Sequence, residues 1–156
     1  MKHERQRFLG TYDTKPLGYS GNERMFQEDF GFLRKDGKLV ISVSGTDTDG
    51  ASIPRFFWRI IGSPLHGVNK YFAAGHDSLY NATAVIIDTY KYPGTAEAIF
   101  YKWRVLMPHG FIHRADLTRK WADQHMLEVM EFMRVPWWKR KLVYRAVRMF
   151  GGKAYQ

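Results

Sequence analysis

His76 and Asp77 stand side by side inside the apolar run "KYFAAGHDSLYNATAVII", residues 70–87. On a helix Tyr80 falls four residues after His76 and three after Asp77. His76 and Tyr80 then share a face, with Asp77 at its edge. An ionised Asp among Phe72, Ala73, Leu79 and Ile86 costs several kcal/mol unless it is paired or bound to a cation. An imidazole held by a carboxylate at one nitrogen can take a proton from water at the other, so the pair suits general-base hydrolysis. A carboxylate for that task lies in "TRKWADQHMLEVM", where Asp123 follows Arg119 by one turn. If the two helices run antiparallel, Asp123 can accept the proton on one nitrogen of His76 and fix its tautomer. Gly75 costs about 1 kcal/mol in a helix interior relative to Ala, and permits close approach of another backbone.

A third segment, "TDTDGASIP" at residues 46–54, could complete the site. Asp49-Gly50 makes a tight turn, and Asp49 and Ser52 can bind the free N–H groups at the start of the next helix. Alternatively, the carboxylates of Asp47 and Asp49 with the loop carbonyls offer oxygen ligands to a hard cation such as Ca²⁺. A bland reading of the whole set competes with the chemical one. In it Arg119 pairs with Asp77, Asp123 pairs with His76, and the charges form a structural polar lock. Other chemistry has little support. His109, His113 and His125 have no metal-binding spacing with one another, although His113 and Asp116 could face each other on a helical turn. No Ser or Thr sits in a nucleophile elbow and no phosphate-binding Gly loop is present. The stripe Met126, Met130, Met133 reads as core.

The elements that must position these residues divide the chain in two. Residues 1–48 are strand-like and turn-rich, with a hairpin signal at Asp36-Gly37 in "FLRKDGKLVISVSG". After Gly50 the pattern is helical. "ASIPRFFWRIIG" has Ser52 as an N-cap, Pro54 in the first turn and Gly62 as a stop. A helix carrying His76 is expected over 68–87, a shorter one at "AEAIFYKWRVLM", then strong helices over 118–133 and 136–150 joined at Val135-Pro136. This predicts one α+β domain over 1–156: a small N-terminal antiparallel sheet (1–48) followed by a helical body of about four helices (52–150).

Composition narrows the setting. The 156 residues are 45% apolar and 16% aromatic, enough for a packed core. There is no Cys, which excludes disulfides and thiolate metal sites. The N-terminus "MKHERQRFLG" lacks the apolar core of a signal peptide, and no run approaches the roughly 18 apolar residues of a spanning helix. Net charge is +9, and residues 132–156 hold seven basic residues and no acidic one. Trp137, Trp138, Lys139, Arg140, Lys141, Arg145 and Arg148 therefore form a basic, aromatic segment suited to an anionic membrane surface or an acidic protein. Nucleic acid is a weaker match, because no binding motif accompanies the charge. A solvated helix face whose aromatic side packs on the core is the bland alternative.

The chain resembles domain of unknown function family 1353 of bacteriophages and prophages. The resemblance runs through "TDGASIP" (48–54), "HDSLY" (76–80), "RKWAD" (119–123) and the tail from "VPWWKRKLVYRAVRMFGG" onward. It implies fold kinship and phage origin, hence a place in the host bacterial cytoplasm or in the virion, and a phage or host protein as partner. It implies no activity. The His-Asp-x-x-Tyr helix followed by a helix carrying an Asp is also similar to secreted phospholipases A2. That similarity implies His76 as general base, Asp77 as Ca²⁺ ligand, Asp123 as the orienting carboxylate and Tyr80 as its support. Asp49 would be a second metal ligand, while Arg119, Ser52 and Gly50 would have structural or substrate-orienting roles. The sequence departs from that family in lacking the flanking cysteines and the glycine-rich calcium loop. The competing expectation is a non-catalytic virion or tail component, or a binder of a host factor.

Overall fold

The computed structural model describes residues 7–17, 23–48, 55–62, 67, 69–106, 117–153 and 155. Seven strands form among the described residues, and six of them lie in the turn-rich half: β1 (Phe8–Gly10), β2 (Thr14–Leu17), β3 (Glu23–Phe26), β4 (Phe30–Leu33), β5 (Lys38–Ser42) and β6 (Asp47–Thr48). A 3-10 turn at Arg55–Phe57 leads into α1 (Trp58–Ile61), then α2 (Asn69–Tyr80), β7 (Val85–Asp88), α3 (Ala96–Leu106), α4 (Arg119–Phe132) and α5 (Trp137–Phe150). The class is α+β, as the sequence indicates. Among the described residues, no helix is long and apolar enough to cross a membrane.

Two antiparallel sheets form. One has the order β1-β4-β5-β7 and the other β2-β3-β6. The Asp36-Gly37 hairpin joins β4 to β5, with Leu33 opposite Leu39 and Gly37 at φ 80°. In the larger sheet side chains alternate between two cores. Phe32, Val40 and Ile86 face one core with Phe72, Met126, Met130 and Val147 of the helices. Leu39, Ile41 and Ile87 face the other, closed by Ile99, Phe100 and Trp103 of α3. The sheet therefore lies between α3 on one side and α2, α4 and α5 on the other.

The strand β7 corrects the expected helix over 68–87. That helix ends at Tyr80, where Ala82 takes a left-handed φ of 57° and the N–H groups of Thr83 and Ala84 both reach the Ser78 carbonyl. Val85–Asp88 then pairs with β5, Val40 opposite Ile86. Because this strand is covered on both faces, its apolar residues run continuously, without the alternation that distinguishes a half-exposed strand from a helix.

Gly75 also differs from expectation. The group that approaches it is the His125 imidazole, not a backbone: a Cβ at position 75 would lie 2.5 Å from Nε2. Gly75→Ala gains about 1 kcal/mol of helix propensity but must displace a buried ring, which costs about 1–3 kcal/mol. Urea denaturation should therefore show a net loss of stability. A gain would mean that the α2–α4 contact yields freely.

Candidate functional site

Three helices bring their polar groups together on one carboxylate. From α2, His76 and Tyr80 sit one turn apart with their ring centroids separated by 4.0 Å. From α4 comes Asp123, set in register by the cap at Thr118, whose hydroxyl accepts from the Trp121 N–H. Asp123 Oδ1 is 2.9 Å from His76 Nε2 and accepts from the Tyr80 hydroxyl at 2.5 Å. Its Oδ2 accepts from Arg148 Nη1 of α5 at 2.7 Å. An ionised carboxylate only accepts, so the contact with His76 requires the proton on Nε2 and leaves Nδ1 as the nitrogen Asp123 does not occupy.

The site is internal. His76 is 1% exposed and Asp123 fully buried. Burial works against the Asp123 charge, but hydrogen bonds from His76, Tyr80 and Arg148 outweigh it and hold the carboxyl below its ordinary range. Burial, and then the neighbouring Asp123, pushes the Tyr80 hydroxyl far up, so it stays protonated and donates. The end of α5 covers the set. A Cβ at Gly151 would lie 3.1 Å from the Tyr80 hydroxyl. The Tyr155 ring packs edge-on against Tyr80, and its hydroxyl donates to the Leu117 carbonyl at 2.8 Å.

Asp77 lies at the other edge of α2. Its Oδ2 accepts from the Thr48 hydroxyl at 2.6 Å, and both residues are buried. Burial and then the Asp77 charge push the Tyr12 hydroxyl up to about 12. Thr48 ends β6 and immediately precedes the segment 49–54. Asp49, Gly50 and Ser52 fall in that segment and lie outside the described residues, as do His109, His113 and Asp116. Asp47 is exposed on β6. Among the described residues, no group of three or more His, Asp or Glu is placed to hold a metal ion.

Arg119 does not pair with Asp77, as the polar-lock reading expects. Its Nη2 donates to the Arg148 carbonyl at 2.8 Å and so fastens the end of α5. The basic segment is divided. Trp137, Trp138, Lys141 and Arg145 are exposed and Arg140 is half-buried, with the Lys141 ammonium 5.2 Å from the Trp137 ring centroid. Arg148 turns inward to Asp123. Lys139 donates to Asn69 Oδ1 at 2.9 Å, and burial lowers its pKa. The sequence reading missed three participants. Thr48 was passed over for the carboxylates beside it, and Arg148 was grouped with its basic neighbours although it borders the buried Val147. The third is His125, stacked on Trp121 and edge-on to Phe32. Its Nδ1 is buried and has no hydrogen-bond partner among the described residues. Burial, then the charge of Arg34, keeps His125 neutral with a pKa well below 6.5.

The model of the family described as "Protein of unknown function (DUF1353)" matches residues 25–147. The chain belongs to that family. "Uncharacterized protein y4jT" of Sinorhizobium fredii is 36% identical over 75 residues, which cover 45% of this chain and 22% of that protein's length. No solved structure matches.

Asp123→Asn should lower stability at pH 7 by about 3 kcal/mol, because it leaves the donors of Tyr80 and Arg148 facing a neutral amide in a buried site. The partly exposed Arg148 carries the smaller share. The Asp123 pKa is depressed by folding, so its contribution is complete above the unfolded value near 4 and disappears as pH falls through the folded value. Urea titrations of both proteins should therefore converge below about pH 4. A constant gap across pH would show that the carboxylate charge is not what stabilises.

Proposed function

We propose that this member of the DUF1353 family is a phage-encoded lipid ester hydrolase with a phospholipase-A2-like centre. His76 is the general base, Asp123 its orienting carboxylate and Tyr80 the support of Asp123. One observation carries the reading: Asp123 Oδ1 lies against both His76 Nε2 and the Tyr80 hydroxyl, which fixes the imidazole and directs basicity to Nδ1. Nδ1 takes a proton from water as the water oxygen attacks the ester carbonyl, and Asp123 stabilises the imidazolium. The same proton then passes to the departing alkoxide, leaving carboxylic acid and alcohol. Asp77 and Asp49 would hold Ca²⁺. The oxygen-only donor at Asp77, tied through Thr48 to the start of the 49–54 segment, suits a hard cation. Such an ion supplies charge for the developing oxyanion.

A second reading has an observation of its own in its favour. His76 and Asp123 are sealed, and both carboxylate oxygens are already occupied. Under that reading the set locks α2, α4 and α5 in a non-catalytic phage protein, part of the virion or tail or a binder of a host factor in the bacterial cytoplasm.

Calorimetric titration of Ca²⁺ into the wild type and Asp77→Asn, beside phospholipid hydrolysis by the wild type and His76→Ala, separates the two. The hydrolase binds Ca²⁺ with a Kd of about 1 mM or tighter and loses binding in Asp77→Asn. It also loses about 10²–10⁴-fold in rate in His76→Ala. No binding at millimolar Ca²⁺ and no hydrolysis, with a large drop in the His76→Ala melting temperature, would leave the lock.

A further inference from the structure

The helices α1 and α5 lie side by side in opposed order. At the end of α5 the Phe150 ring is 6.1 and 6.0 Å from the rings of Phe56 and Phe57. Near its start, Lys139 bonds Asn69, whose amide donates to the Ile61 carbonyl that closes α1. Nine large hydrophobic side chains are exposed among the described residues, and six belong to α5, to α1 and to the 3-10 turn that leads into α1. Phe56, beside Phe150, is 60% exposed and Ile60 is 59% exposed. On α5, Trp137, Lys141, Arg145 and Met149 recur at four-residue spacing along one outward stripe, about 18 Å long at helical rise. A scattered exposed hydrophobe needs no explanation, but a grouped set rimmed by one sign of charge does.

The charge is segregated in the same way. Residues 50–68 and 132–156 contain nine basic and no acidic residues, while the other 112 carry 15 basic and 15 acidic. The whole excess of the +9 chain therefore belongs to the two segments that supply α1 and α5. A surface shaped only for solvent has no need to exclude acids from both segments. A polyanion alone would explain the bases but not Phe56, Ile60 and Met149 left in water. An anionic bilayer takes both: hydrocarbon for the apolar tips, headgroups for the ammonium and guanidinium groups, and the interfacial zone for Trp137 and Trp138.

We propose that the outward face shared by α1 and α5 docks on an anionic lipid bilayer, Phe56, Ile60 and Met149 entering the interface and Arg140, Lys141 and Arg145 meeting the headgroups. Lys139 and Arg148, turned to internal partners, take no part. The docking does not depend on the hydrolytic reading and is tested by binding alone. Full-length protein is sedimented with vesicles of phosphatidylcholine and of phosphatidylcholine mixed with phosphatidylglycerol. Binding is expected only to the anionic vesicles, weakening as salt is raised. Lys141→Gln with Arg145→Gln should reduce it roughly 25-fold, at about fivefold per charge. Phe56→Ser with Ile60→Ser should reduce it about tenfold or more, and Met149→Ser, at a mostly exposed position on the other helix, severalfold. Each variant should keep the wild-type melting temperature. Absence of binding, equal binding to both vesicle types, or anionic binding unchanged by the apolar substitutions would overturn the proposal. The first of these outcomes, combined with capture by an acidic protein or by nucleic acid, would assign the face to that partner instead.

Discussion

A carboxylate with no access to water is tolerated only when its lone pairs are filled by well-placed donors, and that requirement at Asp123 organises the helical half of this protein. No single element can supply the donors. Two come from α2, one turn apart at His76 and Tyr80, and a third comes from α5 at Arg148. Each donor restrains its own helix, so the orientation of α2 against α4 and the position of the end of α5 follow from satisfying one side chain. Arg119 completes the arrangement by holding the Arg148 carbonyl. The Gly151 backbone can then lie against the Tyr80 ring, where a side chain would be tightly crowded.

The sheet imposes the second constraint. The larger sheet is covered on both faces, and α2 is joined to the strands by side-chain bonds as well as by packing. Ser78 donates to the Ser42 hydroxyl at the end of β5, and Asp77 accepts from Thr48 at the end of β6. His76 and Asp77, adjacent in sequence, thus serve opposite sides: one turns to the helical bundle and the other to the strand ends. This division explains two titratable groups in an apolar helix, and it is the geometry that a base and a cation ligand would also need.

Much of this was legible in the residues. The range of α4 followed from the helical pattern over 118–133 and the junction at Val135-Pro136, and the hairpin from Asp36-Gly37. Helical spacing put His76 and Tyr80 on one face and let Asp123 reach His76 if the helices run antiparallel, while the contact of Tyr80 with Asp123 was implied only by the phospholipase A2 resemblance. What was hidden depended on tertiary context. The stop after Tyr80 has no Gly or Pro to mark it, because Ala82 adopts the left-handed conformation. The strand β7 lacks alternation because it is buried on both sides. Gly75 signals a close approach but cannot name the approaching group, and only the assembled bundle brings His125 there. Arg148 has the same residue type as its solvent-facing neighbours, and only its place beside the buried seam of α5 distinguishes it. The family match extends over His76, Tyr80 and Asp123 but carries no activity, so the chemistry rests on the geometry.

The most direct test of the central role given to Asp123 is the tautomer of His76, read from long-range ¹⁵N–¹H correlations at about pH 9, above the ordinary histidine range. Asp123 as orienting acceptor predicts a proton on Nε2. A proton on Nδ1 with none on Nε2 would contradict the account, because Asp123 would then face a lone pair and could neither orient a base nor join α2 to α4 through that ring.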